Sequence, residues 1–215
     1  MSSPAKDSDR LSLDLLPKSL LHKRAGGIAV VAIVLAAAVG GLIGLATGRL
    51  GGLIAAAVVG LPMLGLAYVE TRRTSWLDNG IISMRGLRIR SVDLRQLTRI
   101  ELLIAEVRGK RVVMFVIIGG PKGKRVNLIV ANYTINSSLE LDIVVLRRLA
   151  DALASGETAH GLVFAELLVA QLRAEARELP LPTRPLYRLA SLAVAGRLAQ
   201  RMHPDAITQF VATLD

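Results

Sequence analysis

Hydrophobic and polar positions follow three different rhythms along this 215-residue chain. Residues 25–69 carry one charged side chain, Arg49, near their midpoint and are otherwise dominated by Ala, Val, Leu, Ile and Gly. A hydrocarbon core about 30 Å thick takes roughly 20 apolar residues at 1.5 Å each. Residues 25–47 and 50–69 each supply that length, so the pattern predicts two membrane-spanning helices joined by a tight turn at Gly48-Arg49-Leu50-Gly51-Gly52. A charge that is costly at mid-bilayer is tolerated in water at such a tip. Small residues recur every fourth position: Ala32, Ala36, Gly40, Gly44 and Gly48 in the first span, Gly52, Ala56 and Gly60 in the second. Stripes of this kind let helix backbones approach closely. They face each other within the hairpin, or they face a second chain; Pro62 is a candidate kink in the second span.

Ahead of the hairpin, residues 1–10 are polar and expected to be disordered. Leu11, Leu13, Leu15, Leu16, Leu20 and Leu21, interrupted by Pro17, read either as a patch lying on the inner leaflet, with Lys18, Lys23 and Arg24 towards headgroups, or as a plain juxtamembrane linker.

From Thr71 the hydrophobic period becomes two, the signature of strands. Strands are predicted over 74–77, 81–85, 87–92, 98–107, 111–118 and 125–135. Asn79-Gly80 favours the positive φ angles of a type I′ hairpin turn. The continuous apolar run 112–118 marks a strand covered on both faces or an edge hidden by a neighbour. Ser137 and Glu140 have capping-box spacing, which predicts a helix from Ser137 to Gly156 with Leu139, Ile143, Leu146, Leu149 and Leu153 on its apolar face. Strands followed by one amphipathic helix describe an antiparallel sheet or small barrel closed by a helix. A second helix is predicted over 162–178, with Leu162, Ala165, Leu168, Val169, Leu172 and Ala176 as its stripe. Pro180, Pro182 and Pro185 break it. A third helix is expected over 186–202, where Arg184, Arg188, Arg197 and Arg201 flank an apolar centre, and a short last one opens at Pro204 or Asp205.

The run Asp78-Asn79-Gly80-Ile81-Ile82, then Met84-Arg85-Gly86-Leu87-Arg88-Ile89-Arg90, then Val92-Asp93-Leu94 leading to Leu97, Ile100 and Glu101 and on to the helix, resembles the bacterial PH-like domains that often follow a pair of transmembrane helices. The likeness covers about residues 71–155 and rests on pattern and order. It implies a curved sheet capped by a helix, and binding rather than catalysis. The first hairpin loop is Asp78-Asn79-Gly80, without the basic residues that phosphoinositide-binding PH domains place there. The expected fold class is thus an α+β membrane protein: a cytoplasmic N-terminal segment (1–24), a two-helix transmembrane hairpin (25–69), a PH-like β domain with its capping helix (70–156) and a helical C-terminal extension (157–215).

Charge sharpens the topology. The net charge is +10. Lys18, Lys23 and Arg24 precede the first span and Arg72 and Arg73 follow the second, while the connecting loop has Arg49 alone. By the positive-inside rule both termini are cytoplasmic at the inner membrane, in a multi-pass protein whose first span is retained rather than cleaved as a signal peptide. Cysteine is absent, so disulfides, thiolate nucleophiles and Cys-based zinc sites are excluded. His22, His160 and His203 lie apart, each without a carboxylate at i±3 or i±4, and no metal or cofactor is expected. Residues 119–124 hold three Gly and two Lys but lack Walker spacing and a following helix, which makes them a hairpin turn. No nucleophile-elbow or His/Asp pattern accompanies the serines. The aromatic content of 3% leaves no stacking ladder for nucleic acid.

The remaining candidates are basic. Arg85, Arg88 and Arg90 surround one hairpin, and Lys110, Arg111, Lys122, Lys124 and Arg125 surround two others. They are a candidate anionic-lipid or partner surface if the loops share an edge, and ordinary solubilising charge otherwise. Ala36, Gly40, Gly44, Gly48, Gly52, Ala56 and Gly60 are the candidate transmembrane packing residues. The expected function is a non-enzymatic, membrane-anchored adaptor or accessory subunit of a larger membrane complex, binding partner proteins at the inner leaflet, with homo-oligomerisation open; the alternative is an anionic-lipid-binding or lipid-handling protein.

Overall fold

The structure, a computed structural model, describes residues 10–15, 18–72, 74–86, 88–107, 109–120, 123–134, 137–193, 199–202 and 204–214. It divides into two compact units, the apolar hairpin and a polar α+β unit.

In the hairpin, α1 (Lys18–Thr47) and α2 (Arg49–Arg72) are separated by Gly48 alone. Gly48 has φ +83°, a left-handed conformation that glycine adopts without a Cβ clash. Its N–H donates to the Gly44 carbonyl at 2.9 Å, and the Gly52 N–H donates to the Gly48 carbonyl at 3.2 Å. The turn is therefore shorter than the five residues expected, and Gly51 and Gly52 belong to α2. Two helical segments, Gly26–Thr47 and Arg49–Val69, are long and apolar enough to cross a membrane.

The polar unit contains two antiparallel sheets. The first has the order β1-β2-β3-β4, from β1 (Leu11–Ser12), β2 (Thr74–Asp78), β3 (Ile81–Arg85) and β4 (Ile89–Asp93). Asn79 (φ 49°) and Gly80 (φ 78°) make the β2–β3 turn, both with the positive φ that the Asn-Gly pair predicted. A 3₁₀ turn, Leu94–Gln96, leads into the second sheet, of order β8-β7-β6-β5-β9: β5 (Leu97–Val107), β6 (Lys110–Gly119), β7 (Lys124–Tyr133), β8 (Ser138–Glu140) and β9 (Gln200–Met202). Four helices complete the unit: α3 (Ile143–Ala154), α4 (Ala159–Ala176), α5 (Pro185–Ser191) and α6 (Pro204–Ala212). The ladders form two open sheets and, among the described residues, no closed barrel. One core runs from Leu13 and Leu77 through the sheets to Leu146, Leu168, Leu189 and Ile207. The apolar run of β6 is central in its sheet, and Val113, Phe115, Val116 and Ile117 are each 0% exposed, so both of its faces are covered.

Four expectations are corrected. Leu11 and Leu13 belong neither to a leaflet patch nor to a plain linker: β1 pairs with β2 in the register Leu11↔Leu77 and Ser12↔Trp76, and Leu13 is buried. Asp14 Oδ1 fixes the join, accepting from the Ser75 N–H at 2.9 Å and from Ser75 Oγ at 2.7 Å. The helix does not start at Ser137. Residues 138–140 complete the hydrogen bonding of β7, and Asp142 caps α3 instead, its carboxylate accepting from the Val144 N–H at 2.8 Å. As a result Ile143, placed on the apolar face by the sequence, is 58% exposed. The buried stripe of α4 is rotated from the expected one and comprises Gly161, Phe164, Ala165, Leu167, Leu168, Gln171 and Ala174, while Leu162 and Val169 are exposed. Apolar residues line two neighbouring stripes of this helix, and the edge-to-face contact of Phe164 with Phe115, centroids 4.9 Å apart, selects one. Finally, α5 ends at Ser191, and residues 200–202 form a strand rather than helix because the edge of β5 supplies their hydrogen bonds.

Candidate functional site

On the hairpin, the small-residue stripes of the two helices meet. A Cβ on Gly40 would lie 2.7 Å from Ala56 Cβ and 2.8 Å from the Gly52 carbonyl oxygen. One on Gly52 would lie 2.6 Å from the Gly40 oxygen and 2.8 Å from Gly44 Cα, and one on Gly60 would lie 3.0 Å from Ala36 Cβ. Six of the seven candidate packing residues thus sit in the α1–α2 contact; Gly48 is in the turn with open space around it. Beside the contact runs an open apolar groove of about 480 Å³, lined by Ala37, Gly41, Leu45, Leu53 and the edges of the stripes, with Arg49 at one end.

The Lys110/Arg111 and Lys124/Arg125 pairs do not converge. Lys110 and Arg111 begin β6, opposite Val107 and Glu106, whereas Lys124 and Arg125 begin β7, opposite Gly119 and Ile118 at the other end of β6. A ten-residue strand separates the two groups, about 30 Å at roughly 3.4 Å per residue. Arg111 also spends its guanidinium on Glu106 (3.3 Å), and Arg125 bonds Asn127 (3.1 Å). Arg85, Arg88 and Arg90 are exposed around the β3–β4 turn. Lys122 lies outside the described residues, as does His203; His160 is exposed. Among the described residues no group of three or more His, Asp and Glu is gathered as for a metal.

Two clusters that the sequence did not single out are built more tightly. In the first, Glu140 on β8 accepts from Tyr133 Oη (2.6 Å), from Gln171 Nε2 (3.1 Å) and from Arg184 Nη1 (3.0 Å). Gln171 Nε2 also donates to Glu175 Oε1 (3.1 Å), and its Oε1 accepts the Leu186 N–H (3.1 Å). Burial pushes the Glu175 carboxyl above its usual value, and the neighbouring Glu140 pushes it further. Burial and the neighbouring Glu140 likewise hold the Tyr133 phenol protonated well beyond its ordinary range. These groups satisfy one another, and they tie β7 and β8 to α4 and to the start of α5. Fully buried Gln171 in the middle of an apolar helix was the available signal, hidden by the wrong phase for α4.

In the second cluster, Glu101 on β5 is 4% exposed and carries two arginines, Arg99 Nε at 2.7 Å and Arg201 Nε at 3.0 Å. Arg201 comes from β9, paired across the edge of β5 as Leu102↔Met202, Leu103↔Arg201 and Ile104↔Gln200.

No family model, curated protein or solved structure matches the chain. The functional reading therefore rests on these geometries.

Proposed function

We propose that the protein is a non-enzymatic adaptor or accessory subunit, anchored in the cytoplasmic membrane by the α1–α2 hairpin, whose PH-like polar unit holds partner proteins beside the inner leaflet. The observation that carries this reading is the β1–β2 pairing. The segments that enter and leave the hairpin are neighbours in one sheet, which is the connectivity of two antiparallel crossings with both ends on one side. The basic residues flanking the spans favour the cytoplasm for that side. Two antiparallel sheets followed by α3 support the PH-like assignment. A binding role is favoured over catalysis because the buried charges of the polar unit are spent on each other, Glu140 on Tyr133 and Arg184, Glu101 on Arg99 and Arg201. The anionic-lipid alternative is weakened by the separation of Lys110 and Arg111 from Lys124 and Arg125.

Reporter fusions at the C-terminus and after Val69 should both score cytoplasmic, and one between Gly48 and Gly51 external. Full-length protein crosslinked and purified from its native membrane should retain specific proteins through high salt. In contrast, failure to retain any, together with salt-sensitive recruitment of anionic vesicles to proteoliposomes of neutral lipid, would replace the adaptor with a lipid-binding protein.

A further inference from the structure

The second sheet closes on one side with an unusually slight strand. β5 is eleven residues long, yet β9 covers only Leu102, Leu103 and Ile104 of its outer edge. Thr158 Oγ1 takes the Leu97 carbonyl at 3.2 Å. Along Thr98–Glu101 and Ala105–Val107 no other strand pairs with that edge among the described residues. An edge of this length is a template for a further strand. Two features mark β9 as a weak occupant: it is three residues long, and Gln200 Oε1 is buried without a hydrogen-bond partner. One feature marks the edge as selective: Glu101, 4% exposed, meets the arginine at the centre of the incoming strand, Arg201, itself 57% exposed.

We propose that the outer edge of β5 is a strand-addition site for an extended, arginine-bearing segment of a partner protein, with β9 as the internal strand that occupies it until displaced. A longer strand would pair with Thr98–Ile100 as well, would place its arginine on Glu101 as Arg201 does, and need not bury an unpaired amide where Gln200 sits. Main-chain pairing supplies affinity in this recognition mode and the Glu101 contact supplies register. The inference rests on the adaptor reading and assigns it a surface.

A switchable lock tests it. The chain has no native cysteine, so the double variant Leu103→Cys/Arg201→Cys places a thiol pair across the β5–β9 ladder of the full-length protein in nanodiscs. The probe is a labelled peptide with a central Thr-Arg-Met, the arginine in the place of Arg201 and no amide in the place of Gln200, between further threonines. Reduced protein is expected to bind it at least about tenfold more tightly than oxidised protein, in which β9 is tethered. In the otherwise unaltered chain, Arg201→Glu should raise peptide affinity by releasing β9. Adding Glu101→Gln should lower it by about tenfold, the scale of one charge-assisted bond, while a peptide with glutamine for arginine should bind both proteins alike. Equal binding to the oxidised and reduced forms, or binding indifferent to Glu101, overturns the assignment. A locked protein that still retains its native partners does so too and leaves the adaptor reading standing, whereas absence of partners from locked and unlocked protein alike removes the adaptor itself.

Discussion

The hairpin and the polar unit are both rich in Ala, Val and Leu, yet they bury opposite ends of the size scale. α1 and α2 turn Gly40, Gly52, Gly60 and Ala32 inward and leave Leu45 at 89%, Leu50 at 75% and Leu42 at 72% exposed. The polar unit buries Phe115, Phe164, Leu146 and Leu149 completely and exposes its arginines. The difference is the one expected of a hairpin set in hydrocarbon, as proposed, beside a unit set in water. In water, burying a large aliphatic or aromatic side chain gains about 1.5–3 kcal/mol, so large residues go inside. Against hydrocarbon that gain vanishes, and close backbone approach through small residues is what holds two helices together. Helices of similar hydrophobicity are therefore assembled by shape in one unit and by apolar volume in the other.

If this contrast is right, the two units must fail under opposite substitutions. The largest effect is expected for Gly52→Leu, since its Cβ meets the Gly40 oxygen and Gly44 Cα, backbone atoms that cannot move aside. The hairpin should not close, and membrane yield and protease resistance should collapse. Gly41→Leu, with nothing within 4 Å of its Cβ, should leave both unchanged. Equal loss from the two variants would break the argument from shape. In the polar unit the damaging change is large to small. Phe164→Ala removes a ring that is 2% exposed and packed edge-on against Phe115, and should cost about 3–5 kcal/mol in chemical unfolding, against well under 1 kcal/mol for Val169→Ala on the exposed stripe of the same helix. A comparable cost at Val169 would mean that a partner or a second copy covers that stripe.

What the sequence allowed one to read was uneven, for physical reasons that differ by element. The two long apolar helices and β2 to β7 were legible because their signals are local: length and apolarity, alternation with period two, an Asn-Gly turn whose φ values the chain adopts. β1, β8 and β9 were not. Two or three residues carry no periodicity; β1 and β9 become strands only because β2 and β5, distant in sequence, offer them an edge, and β8 because the chain folds straight back on β7. Asp14, Glu101 and Arg201 could be seen as charges but not as a clasp on Ser75 or as an ion pair across an edge. Among site residues, the small stripe was visible from four-residue spacing. The basic loops were visible as charge, and since they precede and follow the one strand β6 they lie at its opposite ends whatever its register. The Glu140 cluster was obscured twice, once by assigning Glu140 to a capping box and once by phasing α4 away from Gln171.

The same comparison extends to polar groups, with a smaller effect. The apolar spans carry one charged residue, Arg49 at the turn, while the polar unit joins half-buried Glu140, Glu175 and Arg184 to buried Tyr133 and Gln171 in a single network linking β7, β8, α4 and the start of α5. Within it burial first, and the neighbouring Glu140 second, hold the Glu175 carboxyl above its usual value. The unfolded chain, with an ordinary glutamate, then binds fewer protons than the folded one, so this group's stabilising contribution is fully present below the unfolded pKa. It is lost as pH rises towards the folded pKa of Glu175, and there is no further change above that. Glu175→Gln keeps an oxygen that can accept from Gln171 and cannot ionise. Thermal unfolding of the full-length variant in detergent should match wild type at acid pH and lose this component of the pH dependence, becoming the more stable protein on the alkaline side. Glu140→Gln should behave differently. It takes the carboxylate from Arg184 and Tyr133, and the loss of partners for buried donors destabilises at every pH. Parallel pH profiles for wild type and Glu175→Gln would mean that Glu175 sheds its proton without strain and that the network is held by Glu140 and Arg184 alone.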